Sequence, residues 1–229
     1  MKIYVVGSSK NKFLPLDNIR EKFLIDQPHE GDNIDFLNPW YCELTGLYYL
    51  WKHVDDEVVG LEHYRTYFWN NNNLLDEYQI IKKLKIADII CGGWLQPHPI
   101  YKGKTNREEF KKTIPNEYDL FITYLKSYNF EFFKIFDKYL DSNKFICCNM
   151  FITTKNELNN YMEFFFDLIL NYVTKNIPNN MNLRREGWLS EFIFGAYLLY
   201  KNKNIILNDI YKFNKELTQI EYKALGFNL

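Results

Sequence analysis

The feature that most constrains the fold is a rhythm, in which short apolar runs alternate with longer stretches whose apolar residues recur every three to four positions. Lys2-Ile3-Tyr4-Val5-Val6-Gly7, Val58-Val59-Gly60-Leu61, Ile86 to Cys91 and Phe145 to Thr153 read as strands, each short and continuous enough to be buried on both faces. Asn38-Pro39 has the chemistry of a helix start, and Leu44, Leu47, Tyr48 and Trp51 follow at i, i+3, i+4, i+7, so the spacing predicts one helix over 40–53. Further helices are expected at about 74–84, as a pair within 106–141, from 154 to about 174 and from about 189 to 200. Thr105 with Glu108, and Thr154 with Glu157, have capping-box spacing. The stretch 14–36 has no clear period and reads as a long loop, of the kind that is often functional.

Composition narrows the class. At 229 residues the chain suits a single domain, 1–229, with a helical insertion at about 106–141 and a helical appendage at about 208–229. Lys and Arg number 28 against 29 Asp and Glu, so no general field attracts nucleic acid, and any phosphate site must be local. Cys42, Cys91, Cys147 and Cys148 offer no pair with the two-residue gap of a zinc site. No leader and no apolar run long enough to span a bilayer is present, which points to the cytoplasm. The aromatic and lysine-rich 208–229 stretch would give peripheral contact with the inner face of the membrane or a homodimer contact. Aromatics make up 18% of the chain, and most are expected in the core. Trp40, Trp94 and Trp188 are the candidate platforms for a sugar ring.

The chemistry clusters near strand ends. The first strand runs into Gly7 and Ser8, and the strand beginning at Val58 ends in Glu62-His63-Tyr64-Arg65. Carboxyl ends of strands are where open α/β sheets bind ligands. Three further segments carry distinctive residues: Gly31-Asp32-Asn33-Ile34, Tyr41-Cys42-Glu43-Leu44-Thr45 with Leu47-Tyr48-Tyr49-Leu50-Trp51-Lys52, and Cys148-Asn149-Met150-Phe151-Ile152. Trp188-Leu189-Ser190-Glu191 closes the series.

In order and spacing these segments, over residues 1 to 200, resemble a bacterial family of capsular polysaccharide and O-antigen synthesis proteins, including galactofuranosyltransferase-like enzymes. Thr66 departs from that pattern, where a second Arg is more usual. The resemblance implies a GT-A-like, Rossmann-like α/β domain with a mixed central sheet and flanking helices. It also implies a hexosyltransferase, expected to be inverting, that carries galactofuranose or galactose from a UDP-sugar donor to a growing surface polysaccharide. Its acceptor would be a glycan or a polyprenyl-diphosphate-linked glycan. A noncatalytic sugar-binding or scaffold subunit of a polysaccharide assembly complex is the alternative, and nucleic acid is not an expected partner.

Such a transfer needs positive charge on the departing diphosphate and, with inversion, a carboxylate for the acceptor proton. Many GT-A enzymes hold a divalent metal with D-x-D, and no two Asp residues here are separated by one residue. No cofactor is therefore required in this reading, with a divalent metal as the alternative, and His63 and Arg65 are the candidates for donor phosphate, Arg for its planar fork. The competing roles are an ion pair of Arg65 with Glu62 or Glu43 and a core position for His63. Glu191, near the start of a late helix, is the candidate base, with Glu43 and Asp32 as competitors; a charge placed there for the helix dipole is the plainer reading. Gly7, Ser8, Asp32, Asn33 and Asn149 complete the expected donor site. Trp188 and Arg184 complete the acceptor site.

Overall fold

The computed structural model describes residues 1–11, 16–70, 73–93, 104–175 and 184–213. Strand β1 (Lys2–Gly7) lies between β2 (Arg20–Leu24) and β3 (Val58–His63), parallel to both. Strand β4 (Thr66–Asn70) turns back from β3 and pairs with β5 (Asn73–Leu74). Beyond β3 the sheet continues through β7 (Ile146–Thr154), β6 (Ile89–Gly93) and β8 (Ile205–Asn208), in the order β2-β1-β3-β7-β6-β8. A short β9 (Ile210–Lys212) pairs with β4. Because β7 runs antiparallel to β3 and β6, and β8 parallel to β6, the sheet is mixed. The start of β7 therefore lies beside the carboxyl ends of its neighbours, a fact that decides where the site forms.

Helices cover the sheet. They are α1 (Asn38–Tyr41), α2 (Leu44–His53), α3 (Glu77–Leu84), α4 (Asn106–Thr113), α5 (Tyr118–Tyr128), α6 (Phe130–Leu140), α7 (Lys155–Lys175) and α8 (Arg185–Tyr200). Alternate strand residues divide between two faces. Tyr4, Val6, Val59, Leu61 and Phe151 join the main core with the apolar faces of α2, α7 and α8, whereas Ile3, Ile90, Met150 and Ile152 pack with Ile80 of α3. Most of the aromatic surplus is spent in that main core: Phe110 stacks on Phe192 at 4.8 Å, and Phe121 meets Tyr172 edge-on at 5.1 Å. Full burial of each such ring contributes about 1.5–3 kcal/mol. Gly60 lets β3 and β7 approach, since a Cβ there would stand 2.8 Å from Ile152 Cγ1 and 2.9 Å from the Phe151 carbonyl oxygen.

Several local expectations are corrected. The stretch expected as a loop contains β2, hidden in the sequence because Glu21 and Lys22 are exposed on a strand at the end of the sheet. The single helix expected over 40–53 is two, broken at Cys42, whose φ is 52°. The region 106–141 holds three helices rather than two, α5 and α6 being separated at Asn129, whose side chain caps α6. The expected helical appendage instead begins with strand residues Asn208 and Ile210–Lys212, and 214–229 lie outside the described residues. Among the described residues no helix is long and apolar enough to cross a membrane.

The sheet also carries a buried ion pair. Arg20 and Glu62 sit opposite Ile3 and Val5, so the guanidinium reaches across β1, with Nε 2.6 Å from Oε2 and Nη2 3.0 Å from Oε1 of Glu62. Both side chains are fully buried. Asp17 accepts from Nη1 of Arg20, the Leu75 carbonyl accepts from Nη2, and the Phe68 amide donates to Glu62. Glu62 is thus the partner of Arg20, not of Arg65.

Candidate functional site

At the carboxyl ends of β1 and β3 the surface opens into a cleft of about 380 Å³, lined by Gly7, Ser8, Cys42, Glu43, His63 and Arg184 among others. Its walls are unusual in backbone conformation. Among the described residues five non-glycines have positive φ, and four of these, Cys42, Cys148, Asn149 and Arg184, belong to this neighbourhood. Left-handed backbone at such residues costs free energy and persists only where the surroundings impose it. Consecutive left-handed residues at Cys148 and Asn149 redirect the start of β7, aiming the Asn149 side chain at Glu43 and Ser190.

Asn149 is fully buried and donates through Nδ2 to Glu43 Oε1 at 2.8 Å and to Ser190 Oγ at 2.7 Å. Ser190 in turn donates its hydroxyl hydrogen bond to the Gly187 carbonyl. The amide oxygen of Asn149 has no described partner. Next to Ser190 stands Glu191, whose Oε2 accepts from the Cys148 amide at 2.8 Å. On the other side of Cys148, its carbonyl bonds His63 Nε2 at 2.6 Å. That bond puts a proton on Nε2 and leaves Nδ1 as the ring's second polar atom.

Burial first, and the Glu43 carboxylate second, push the Glu191 carboxyl up to about 8; the Cys148 amide, Arg184 and Lys212 act in the opposite direction. Glu191 is not on the cleft lining and is joined to it through Cys148 and His63; a carboxyl that titrates near neutrality is suited to accepting a proton at working pH. Because α8 begins at Arg185, Glu191 sits almost two turns inside the helix, not in its first turn, so the dipole account loses its basis. Burial pushes the Cys42 thiol up to about 11, with Glu43 adding to the effect, which leaves it a poor nucleophile.

The other predicted residues divide. Gly7, Ser8, His63 and Arg184 line one cleft, and Arg184 is exposed with its amide on the Pro39 carbonyl. Arg65 is not on the lining; its guanidinium lies 4.8 Å from the ring centre of Tyr64, which is, and its Nε has no described partner. Asp32 and Asn33 do not line the cleft either. Asp32 accepts from Tyr48 and, through its carbonyl, bonds His53, while Asn33 donates to the His29 and Gly31 carbonyls. His53 ends α2 and Glu43 precedes its start, so this loop lies at the far end of a helix about 15 Å long. Trp188 and Trp40 are partly buried against the core, and Trp94 lies outside the described residues. Of the Arg184-Arg185 pair only the first faces solvent: Arg185 is fully buried, bonded to Glu186, with Glu117 at 3.7 Å.

Sequence reasoning gave Glu43 only as a competitor and missed its bond to Asn149, because the break at Cys42 that turns Glu43 toward β7 has no sequence signal. Among the described residues no three His, Cys, Asp or Glu side chains converge as a metal site. The acid at the end of β3, Glu62, is committed to Arg20.

Comparison with known proteins fits this architecture. The apo structure of the WbbM bifunctional glycosyltransferase superposes with a TM-score of 0.75 at 21% identity, covering 93% of this chain and 45% of that one. The chain thus spans less than half the length of that protein, and the likeness establishes a mixed α/β, GT-A-like fold. No curated protein matches the chain. A family model does, over residues 2–203, and the chain accordingly belongs to the family described as a domain of unknown function, DUF4422.

Proposed function

We propose that the chain is a glycosyltransferase, transferring galactofuranose or galactose from a UDP-sugar to a surface-polysaccharide acceptor with inversion at the anomeric carbon. The observation that carries this reading is the link through Cys148 between Glu191, a carboxyl poised near neutrality, and His63, which lines the strand-end cleft with Arg184. In the reaction the acceptor hydroxyl loses its proton to Glu191 as its oxygen bonds the anomeric carbon. The bond from that carbon to the diphosphate oxygen breaks, and UDP leaves with the electron pair.

Arg184 meets the charge that builds on the leaving diphosphate, with the His63 ring on the same wall, and Gly7 and Ser8 supply close backbone approach. Arg65, held against Tyr64, adds positive charge behind the rim. Asn149 and Ser190 fix Glu43, whose charge keeps the proton affinity of Glu191 high until the acceptor arrives.

The test is transfer from UDP-galactofuranose and UDP-galactose to a synthetic glycan acceptor, with the product's anomeric configuration read by NMR. An inverted linkage formed by the wild type and lost in Glu191→Gln supports the reading. A retained configuration overturns inversion and the base role together, and failure of every UDP-sugar to bind returns the chain to a noncatalytic sugar-binding role.

A further inference from the structure

The strand-end cleft carries two opposite charges that do not meet. Glu43 and Arg184 both line it, and among the described residues no ion pair joins their side chains. A buried carboxylate is costly unless it is paired or fully hydrogen-bonded, and Glu43 is only 8% exposed. Its placement therefore asks for a use.

The chain goes to some expense to put it there. Cys42, with φ 52° and ψ −125°, ends α1, and its carbonyl accepts from both the amide and the hydroxyl of Thr45, so α2 starts along a new axis with Glu43 just ahead of it. From the other side the buried Asn149 donates to Oε1 of Glu43 at 2.8 Å, and Ser190 holds the same amide at 2.7 Å. The carboxylate is thus fixed through one oxygen. Oε2 takes no bond from the described residues, and it does not belong to their sealed, unpartnered atoms, so it is open to the cleft that Glu43 lines. Holding Asn149 alone would need neither the second oxygen nor a place on the cleft wall.

We infer that Glu43 determines which sugar the donor can carry, Oε2 accepting from one sugar hydroxyl while Arg184 takes the diphosphate. Resting on the transferase reading, this gives the unpaired charges one ligand in common, anionic at one end and rich in hydroxyl donors at the other. A carboxylate can only accept, so it selects for a hydroxyl at one position of the ring and against a sugar without it.

The experiment is calorimetric titration of the full chain with UDP, UDP-galactose and UDP-galactofuranose, then with analogues of the tighter-binding sugar nucleotide that lack one sugar hydroxyl each. The sugar nucleotide should bind more tightly than UDP, and one deletion should weaken it roughly tenfold or more, as expected for a charged hydrogen bond. In Glu43→Gln, which keeps an oxygen for Asn149, that deletion should cost severalfold less while UDP binds no more weakly. The wild type supplies a second check: fluorine at the same carbon accepts but cannot donate, so the fluoro analogue should bind no better than the deoxy one. Recovery of affinity with fluorine, no preference for either sugar nucleotide over UDP, or a deletion penalty unchanged in Glu43→Gln would each overturn the inference and leave the transferase reading standing. Failure of UDP and both sugar nucleotides to bind would sink the two together.

Discussion

His63 and Glu191 hold the two backbone polar groups of one residue: the Cys148 carbonyl accepts from His63 at 2.6 Å, and the Cys148 amide donates to Glu191 at 2.8 Å. A residue in left-handed conformation is thereby pinned between the cleft's histidine and its carboxyl. The pinning makes Glu191, the proposed base, and His63, proposed to face phosphate, parts of one rigid unit, so a change at either is felt by the other.

Transfer should rise with pH through about 8, because only ionised Glu191 can take the acceptor proton. Glu43→Gln removes the like charge that disfavours ionisation, so the rising limb moves to lower pH. Stability has the opposite dependence on pH. A carboxyl whose proton affinity is raised by folding binds more protons folded than unfolded, so stability falls as pH rises from about 4.5 toward 8, and Glu191→Gln should flatten that slope. Glu191→Gln should also reduce transfer by about 10²–10⁴-fold. Rate profiles and urea midpoints across pH 5 to 9, roughly the window in which such a group titrates, check both limbs.

Donor binding should depend on Arg184 more than on Arg65, since Arg184 lines the cleft and Arg65 stands behind Tyr64. Charged hydrogen bonds are worth about 1.5–3 kcal/mol, so Arg184→Ala should weaken UDP binding by roughly ten- to a hundredfold. Titration of both alanine variants with UDP decides the order, and a larger loss for Arg65→Ala would reverse it.

The sequence was most legible where periodicity and burial agree. Val5, Val6, Val59 and Leu61 are buried in parallel strands, and Leu44, Leu47 and Leu50 form the buried stripe of α2. The capping box at Thr105 and Glu108 is present on both sides, backbone and side chain. What stayed hidden depends on tertiary contact. Arg20 falls in the stretch expected as a loop, and only its strand pairing with β1 brings it to Glu62, while Glu43 reads as a helix residue until Cys42 breaks the helix. Asp32 and Asn33 look like ligands because turn residues and sugar-binding residues share the same chemistry, and here the turn claims them.

Gly195 should not accept a side chain. A Cβ there would fall 2.2 Å from the Tyr139 hydroxyl oxygen and 2.4 Å from Cζ, and Tyr139 is itself buried in the core between α6 and α8. Overpacking of this kind costs about 1–3 kcal/mol, so Gly195→Ala should lower the urea midpoint by that equivalent.

Glu62→Gln tests what the buried pair does for the fold. Arg20 would keep Asp17 and the Leu75 carbonyl but lose the carboxylate that neutralises it inside the sheet. Breaking a buried pair from one side costs about 3–5 kcal/mol when the remaining charge is left without compensation; Asp17 still pairs with Arg20 at 2.7 Å, so Glu62→Gln should fall below that range. Replacing both members by apolar residues of similar size removes the charge and the desolvation penalty together, and such replacements range from neutral to stabilising. Arg20→Met with Glu62→Leu should therefore be more stable than Glu62→Gln alone, although two native side chains rather than one are replaced. The Phe68 amide, which donates to Glu62, sets the limit on that recovery, since it would stay buried without its acceptor at a cost of about 1–3 kcal/mol. Urea denaturation of the two variants settles the point. A double variant no more stable than the single one would mean that the backbone bonds made by Arg20 and Glu62, rather than their mutual charge, hold β4 against the central strands.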